Sequence, residues 1–320
     1  MAKTEFELIS EYFRRDISDS ELLLGIGDDA AVVQPPKNAK LAISSDSLVE
    51  SVHFPIGAPP GLVARRALRV NLSDMAAMAA NPKWFTLNLT LPISDADWLS
   101  EFSAALHDDA ARFGCCLIGG DTTRGPLNIG IQIMGWVSID AKYLTRFGAE
   151  SGDLLVVTGT LGDAAAALDY LQQDQLCDSA SYLVNRYWLP EPRVEFALNA
   201  CHLINAACDI SDGLAADAGH ICRASGLGAE IRIADLPLSQ PLKALSSHEG
   251  LAQEKALTGG DDYELCMAVP PENIEELVAV AQTFDTRLTV VGVFNEGDSV
   301  TCLDERGDSV SLAQAGFQHF

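Results

Sequence analysis

The sequence predicts a two-domain α/β protein, and three observations predict it. The chain has 320 residues, enough for two domains of ordinary size. Its 48% hydrophobic and 21% charged composition is that of a globular protein able to bury a core. Strand and helix patterns alternate along both halves, and Phe147-Gly148-Ala149-Glu150-Ser151-Gly152-Asp153 puts two glycines and polar residues between apolar segments. The division expected from this is 1–147 and 148–320.

The elements follow in order. Glu5 to Arg15 has the spacing of a short amphipathic helix. Lys40 to Ser45 reads as a strand whose apolar run ends in Ser44-Ser45-Asp46. Pro60 to Ala80 carries Val63, Ala67, Val70 and Met75 at roughly helical spacing, and Asn81-Pro82 stops it. Phe85, Leu87, Leu89 and Leu91 alternate with polar neighbours, which is a half-buried strand. Asp95 to Phe113 returns to helix, Cys115 to Ile118 is a buried strand running into Gly119-Gly120-Asp121-Thr122-Thr123, and Asn128 to Val137 is another strand. The second half has strands at Asp153–Thr158, Ala206–Ile210, Ala229–Ile233, Glu264–Val269 and Leu288–Phe294. Helices are expected at Asp163–Leu171, from Pro190 through Leu203, after Gly213 to Ala224, and at Pro271–Phe284.

The formal net charge of −24 argues against a nucleic-acid backbone or an anionic membrane surface as partner. An anionic substrate would need a cation between it and this protein. The start, Met1-Ala2-Lys3-Thr4-Glu5, has no apolar signal segment, and no apolar run reaches the ~20 residues of a membrane span. A cytoplasmic protein is expected. The eight cysteines form no C-x-x-C pair and sit in apolar surroundings such as Cys115-Cys116-Leu117-Ile118, so they read as free thiols.

The informative acids join apolar segments: Gly27-Asp28-Asp29-Ala30, Ser45-Asp46-Ser47, Ser73-Asp74, Gly120-Asp121-Thr122, Asp209-Ile210-Ser211-Asp212 and Gly260-Asp261-Asp262. Any one of them is equally a turn or a helix cap. Six in one acidic chain point to cation binding, because carboxylates gathered at the edge of a core repel unless cations neutralise them. Mg²⁺ suits such a set, being hard and oxygen-seeking, with neighbouring hydroxyls and carbonyls as neutral ligands. A P-loop is excluded by the absence of G-x-x-x-x-G-K-[ST]. Gly159-Thr160-Leu161-Gly162, between a strand and a helix, is either an anion-facing turn or a structural one.

In this order the motifs closely resemble the thiamine-monophosphate kinase family. The resemblance rests on Gly25-Ile26-Gly27-Asp28-Asp29-Ala30-Ala31, Ser44-Ser45-Asp46-Ser47-Leu48-Val49 with His53-Phe54, and Asn71-Leu72-Ser73-Asp74-Met75-Ala76-Ala77-Met78. It continues through Gly119-Gly120-Asp121-Thr122-Thr123-Arg124-Gly125, Thr158 to Asp163, Asp209 to Leu214, Thr258-Gly259-Gly260-Asp261-Asp262-Tyr263-Glu264 and Gly316-Phe317-Gln318-His319-Phe320. It spans essentially the whole chain.

The resemblance implies an aminoimidazole-ribonucleotide synthetase-like fold, with an N-terminal mixed sheet forming a barrel in a homodimer and a C-terminal α/β domain. It implies phosphoryl transfer from ATP to thiamine monophosphate, giving thiamine diphosphate, with several Mg²⁺ ions. Asp29, Asp46, Asp74, Asp121, Asp209 and Asp212 would hold the metal, with Ser44 and Ser45 adding oxygens. Asp46, Asp74 and Asp121 would lie nearest the transferring group. Gly120, Asp121, Arg146 and Ser211 would contact ATP, and His53, Asp261 and Phe317 the thiamine side. Asp261 stands where the family usually has Glu, and Ala79 where it usually has Gly. Arg65, Arg66 and Arg69 are expected to face solvent or the acidic partner subunit. Two other readings stay open: another ATP-using enzyme of the superfamily, and a non-catalytic acidic metal- or nucleotide-binding protein.

Overall fold

The structure is a computed structural model that describes residues 5–15, 17, 19–27, 29–312 and 316–317. Asp28 of the first motif and Gln318-His319-Phe320 of the last lie outside the described residues. The chain divides into two units, Met1–Met75 with Ala80–Ala141, and Ala76–Ala79 with Lys142–Phe320.

The first unit begins with α1 (Glu5–Leu8), which continues as a π-helical turn over Ile9–Phe13, so the expected N-terminal helix is wound two ways. Two short strands, β1 (Leu22–Leu24) and β2 (Val32–Val33), pair antiparallel. Then come β3 (Ala39–Val49), α2 (Pro60–Ala77), β4 (Asn81–Leu91), α3 (Ala96–Arg112), β5 (Cys116–Arg124) and β6 (Asn128–Ser138). The four long strands form one mixed sheet in the order β3-β6-β4-β5, with only β4 and β5 parallel. Alternation in β4 and β6 sends Phe85, Leu87, Leu89, Ile129, Ile131 and Ile133 to the buried face.

Two strands outrun their expected limits. β3 continues through Ser44-Ser45-Asp46 to Val49, and β5 through Gly119-Gly120-Asp121 to Arg124. The partners account for this: β6 pairs with β3 from Ser138 to Asn128, and β4 with β5 as far as Arg124. The acids of these motifs therefore sit inside strands, not at their ends.

The arginines of α2 correct a second expectation. Arg66 and Arg69 are 1% and 4% exposed. Arg69 Nε donates to Asp109 Oδ2 on α3 at 2.5 Å, and Arg65 pairs with the same carboxylate. A buried Asp109 on the facing helix turns Arg69 inward.

At its end α2 closes with a paired cap: Ala80 N donates to Met75 O at 2.8 Å and Ala79 N to Ala76 O at 2.9 Å. That cap puts Ala79 at φ 51°, a conformation glycine adopts without strain.

The second unit is built on a seven-stranded sheet, order β13-β12-β9-β11-β7-β10-β8. Its strands are β7 (Leu154–Thr158), β8 (Ala206–Asp209), β9 (Gly228–Arg232), β10 (Leu265–Val269), β11 (Leu288–Asn295), β12 (Val300–Leu303) and β13 (Ser309–Val310). Only β12 and β9 run parallel. The helices are α4 (Asp163–Ala167), α5 (Asp178–Trp188), α6 (Val194–Ala200), α7 (Leu214–Ser225), α8 (Gln240–Leu245), α9 (Glu249–Thr258) and α10 (Ile274–Thr283). β8 and β10 are buried at every position, although β8 is the last strand of the sheet. No helix of the described residues is long and apolar enough to cross a membrane.

Candidate functional site

In the first unit the strand pleat sorts the predicted residues onto two faces. Ser44 and Asp46 point to the side covered by α2, where Ser44 Oγ donates to Asp74 Oδ2. Asn71, one helical turn before Asp74, accepts from Asp46 N at 3.1 Å through its side-chain oxygen and so locks β3 against α2. Burial, then the Asp74 charge, pushes Asp46 up to about 6. Asp46, whose ionisation burial and the Asp74 charge oppose, forms with Asp74 and the Ser44 hydroxyl an all-oxygen donor set that a hard divalent cation would relieve. The residues present fit magnesium.

The other face carries the second set. Ser45 lies opposite Gln132, Gln132 opposite Thr86, and Asn88 opposite Asp121, which places Ser45 and Asp121 on the side away from Asp46. A groove of about 830 Å³ there is lined by Gly25–Gly27, Asp29, Gly120, Asp121 and Gln132, among others. Asp29 and Asp121 thus share one groove, and Ser44, Asp46 and Asp74 share another place.

Gly120 is dictated by the backbone. Its φ is 146°, and a Cβ would stand 1.9 Å from Leu87 O. His53 closes the turn after β3, where its Nδ1 accepts from Val49 N at 3.0 Å. That bond leaves the proton on Nε2.

In the second unit, residues from three distant motifs meet through backbone bonds. Asp209 ends β8 at 6% exposure. Asp261 N donates to Ser211 O at 2.9 Å, and Phe317 N to Asp212 O at 3.0 Å. Ser211, Asp212, Asp261 and Phe317 are therefore one neighbourhood, with the Phe317 ring 53% exposed.

Two residues here had not been singled out from the sequence. Asp212, Asp217 and His220 each offer a ligand atom within 4.8 Å of the others. Asp217 is buried and accepts from Asp212 N and Gly213 N at 3.1 Å. Burial is the main cause that pushes it up to about 7, with the Asp212 charge acting the same way and Arg146 opposing. Burial and the Arg146 charge lower His220. The Arg146 charge thus reaches both Asp217 and His220, although the residue itself is exposed. The available signal was spacing: Asp217 and His220 are three apart on α7, one helical face.

The family described as AIR synthase related protein, N-terminal domain, matches residues 27–137, and its C-terminal domain matches residues 150–305. Fold and acidic sites together define an AIR synthase related protein. The thiamine-monophosphate kinase of Escherichia coli (strain K12) is 44% identical over 326 residues, covering 100% of this chain and 99% of its own. The crystal structure of thiamine-monophosphate kinase from Stenotrophomonas maltophilia K279a superposes with a TM-score of 0.85 at 39% identity, over 92% of this chain and 93% of that one. AaThiL complexed with AMPPCP and TMP gives a TM-score of 0.80 at 30% identity, over 89% of each chain. The chain belongs to the thiamine-monophosphate kinase family.

Proposed function

We propose that this protein transfers the γ-phosphoryl group of ATP to thiamine monophosphate, forming thiamine diphosphate and ADP. The observation that carries the reading is the full-length 44% identity to a thiamine-monophosphate kinase, joined to the likeness to a relative complexed with AMPPCP and TMP. The acceptor is a phosphate monoester with a second pKa near ~6, so it is already largely dianionic at neutral pH. No strong general base is required. The obstacle is repulsion between two anions, in a protein of net charge −24.

Asp46 and Asp74 on one face of the first sheet, and Asp121 on the other, would hold separate magnesium ions nearest the reacting phosphates in this reading, with Asp29, Asp209 and Asp212 as further ligands. Ser44 and Ser45 lend neutral oxygens from the two faces of β3. Bound there, magnesium would neutralise phosphate oxygens and favour in-line geometry. Gly120, Asp121, Arg146 and Ser211 receive ATP in this reading, Gly120 from its place in the groove wall beside Asp121. His53 and Asp261 contact the thiamine side in this reading, and the exposed Phe317 ring offers its face to the cationic thiazolium. By domain, residues 1–147 bind ATP and metal and dimerise, and residues 148–320 form the second half of the machinery.

Leu41 and Ile43, 47% and 56% exposed on the open face of the first sheet, opposite Trp136 and Met134, support a homodimer formed through that face. The setting is cytoplasmic.

An ADP-release assay comparing thiamine monophosphate with free thiamine, with and without Mg²⁺, tests the activity. Metal-dependent release with the monophosphate alone is expected. Equal release with free thiamine would sink the reading, because a hydroxyl acceptor demands a base.

A further inference from the structure

Residues 258–264 lead from α9 into β10 and carry two non-glycine residues in the left-handed region, Asp261 at φ 72° and Tyr263 at φ 50°. Such a backbone persists only where its surroundings over-determine it. Half of that determination is backbone pairing with residues 210–211. Tyr263 N donates to Ile210 O at 2.9 Å, Ile210 N to Glu264 O at 2.7 Å, and Asp261 N to Ser211 O as already described.

The other half is a buried ionic anchor. The side chains of Asp262 and Glu264 turn inward, 2% and 0% exposed, alternating with Asp261 and Tyr263. Asp262 Oδ2 accepts from Gly162 N at 2.7 Å. Glu264 accepts from Arg193 Nε and Nη2, both at 2.7 Å, from Arg186 Nη2 at 2.8 Å and from Thr158 Oγ1 at 2.6 Å. Burial pushes Glu264 up, but Arg193 and Arg186 together with its hydrogen bonds bring it below the ordinary carboxylate range. There is no slack around it, since a Cβ on Gly159 would stand 2.0 Å from Glu264 Oε1. Arg186 comes from α5 and Arg193 from the turn before α6, segments outside every motif of the site.

We infer that Arg186 and Arg193 act through Glu264 as positioning residues, fixing Asp261 beside Ser211 and Asp212 and thereby setting affinity for the phosphate acceptor. The inference rests on the reading of Asp261 as a substrate contact. The Arg193 fork matches the carboxylate with two parallel bonds, a geometry lysine cannot reproduce although it keeps the charge.

The test uses the full chain with Arg193→Lys, and with Glu264→Gln as the stronger change. Arg193→Lys is expected to raise KM for thiamine monophosphate about tenfold or more, leaving kcat and KM for ATP within about twofold. That fold-change corresponds to about 1.4 kcal/mol of lost acceptor affinity. Amide exchange at Asp261 and Tyr263 should accelerate in the same variant. Glu264→Gln should do the same more severely; if it fails to fold, Arg193→Lys decides alone. Unchanged exchange, or a rise in KM equal for both substrates, overturns the inference, as does a loss of kcat with both KM values intact. Should the unaltered protein not phosphorylate thiamine monophosphate, the functional reading fails instead, and exchange alone decides whether the anchor holds the loop.

Discussion

Asp74 and Ala79, five residues apart, show how differently single side chains are constrained. Asp74 is half-buried against Ser44 and Asp46, and its charge is one cause of the raised Asp46. Asparagine keeps an oxygen that can accept from Ser44, so Asp74→Asn should leave the fold intact. Turnover should fall by about 10²-fold or more, and Mg²⁺ should raise the melting temperature by less than in the unaltered protein. Full turnover in that variant would exclude Asp74 as a metal ligand. Ala79, by contrast, is constrained by its backbone. At φ 51° in the cap of α2 its Cβ is crowded, so Ala79→Gly should stabilise the protein by about 1 kcal/mol despite adding chain entropy. Thermal melting checks this, and a lower midpoint would contradict it. Alanine stands here where the family usually has Gly, and the dihedral angle gives the physical reason this matters.

Among the elements, the α2–α3 pair depends on one buried carboxylate. Asp109 is 1% exposed and holds both Arg65 and Arg69, with the Arg69 guanidinium also 5.4 Å from the centre of the Phe113 ring. Asp109→Ala takes from the buried Arg69 guanidinium the carboxylate it donates to, while Arg65 keeps Asp108, and should cost about 3–5 kcal/mol. Arg69→Met should cost less, since Asp109 keeps Arg65. Denaturant melts of both variants give the comparison, and equal losses would mean the packing, not the charge, dominates. Most elements were legible because their apolar periods are clean, as in β4 and α7. α5 carries Ala180, Leu183 and Tyr187 at helical spacing, whereas α8 and α9 have few buried residues to mark them. The ends of β3 and β5 were misjudged for another reason. Polar residues there looked like terminators, but partner strands on the same sheet kept supplying hydrogen bonds.

The whole molecule consists of two units, and each carries its own share of the candidate site residues. The open face of the first sheet is the proposed contact between copies of the chain. Placing a charge on it with Ile43→Asp should convert a dimer to a monomer in light scattering, while secondary structure by circular dichroism stays the same. A dimer that persists would move the contact elsewhere. Acidity, absence of a P-loop, the order of Gly-Asp and Ser-Asp motifs and most of the strand and helix succession are determined by the sequence alone. These are local properties, carried by neighbours in the chain. The tertiary structure alone decided that Ser44 and Asp46 lie against Asp74, that Asp217 and His220 join Asp212, that Arg66 and Arg69 are buried, and that Arg186 and Arg193 converge on Glu264. Each of these depends on which distant segment lies opposite, and partners contributed by another strand or helix leave no periodicity in the chain that receives them.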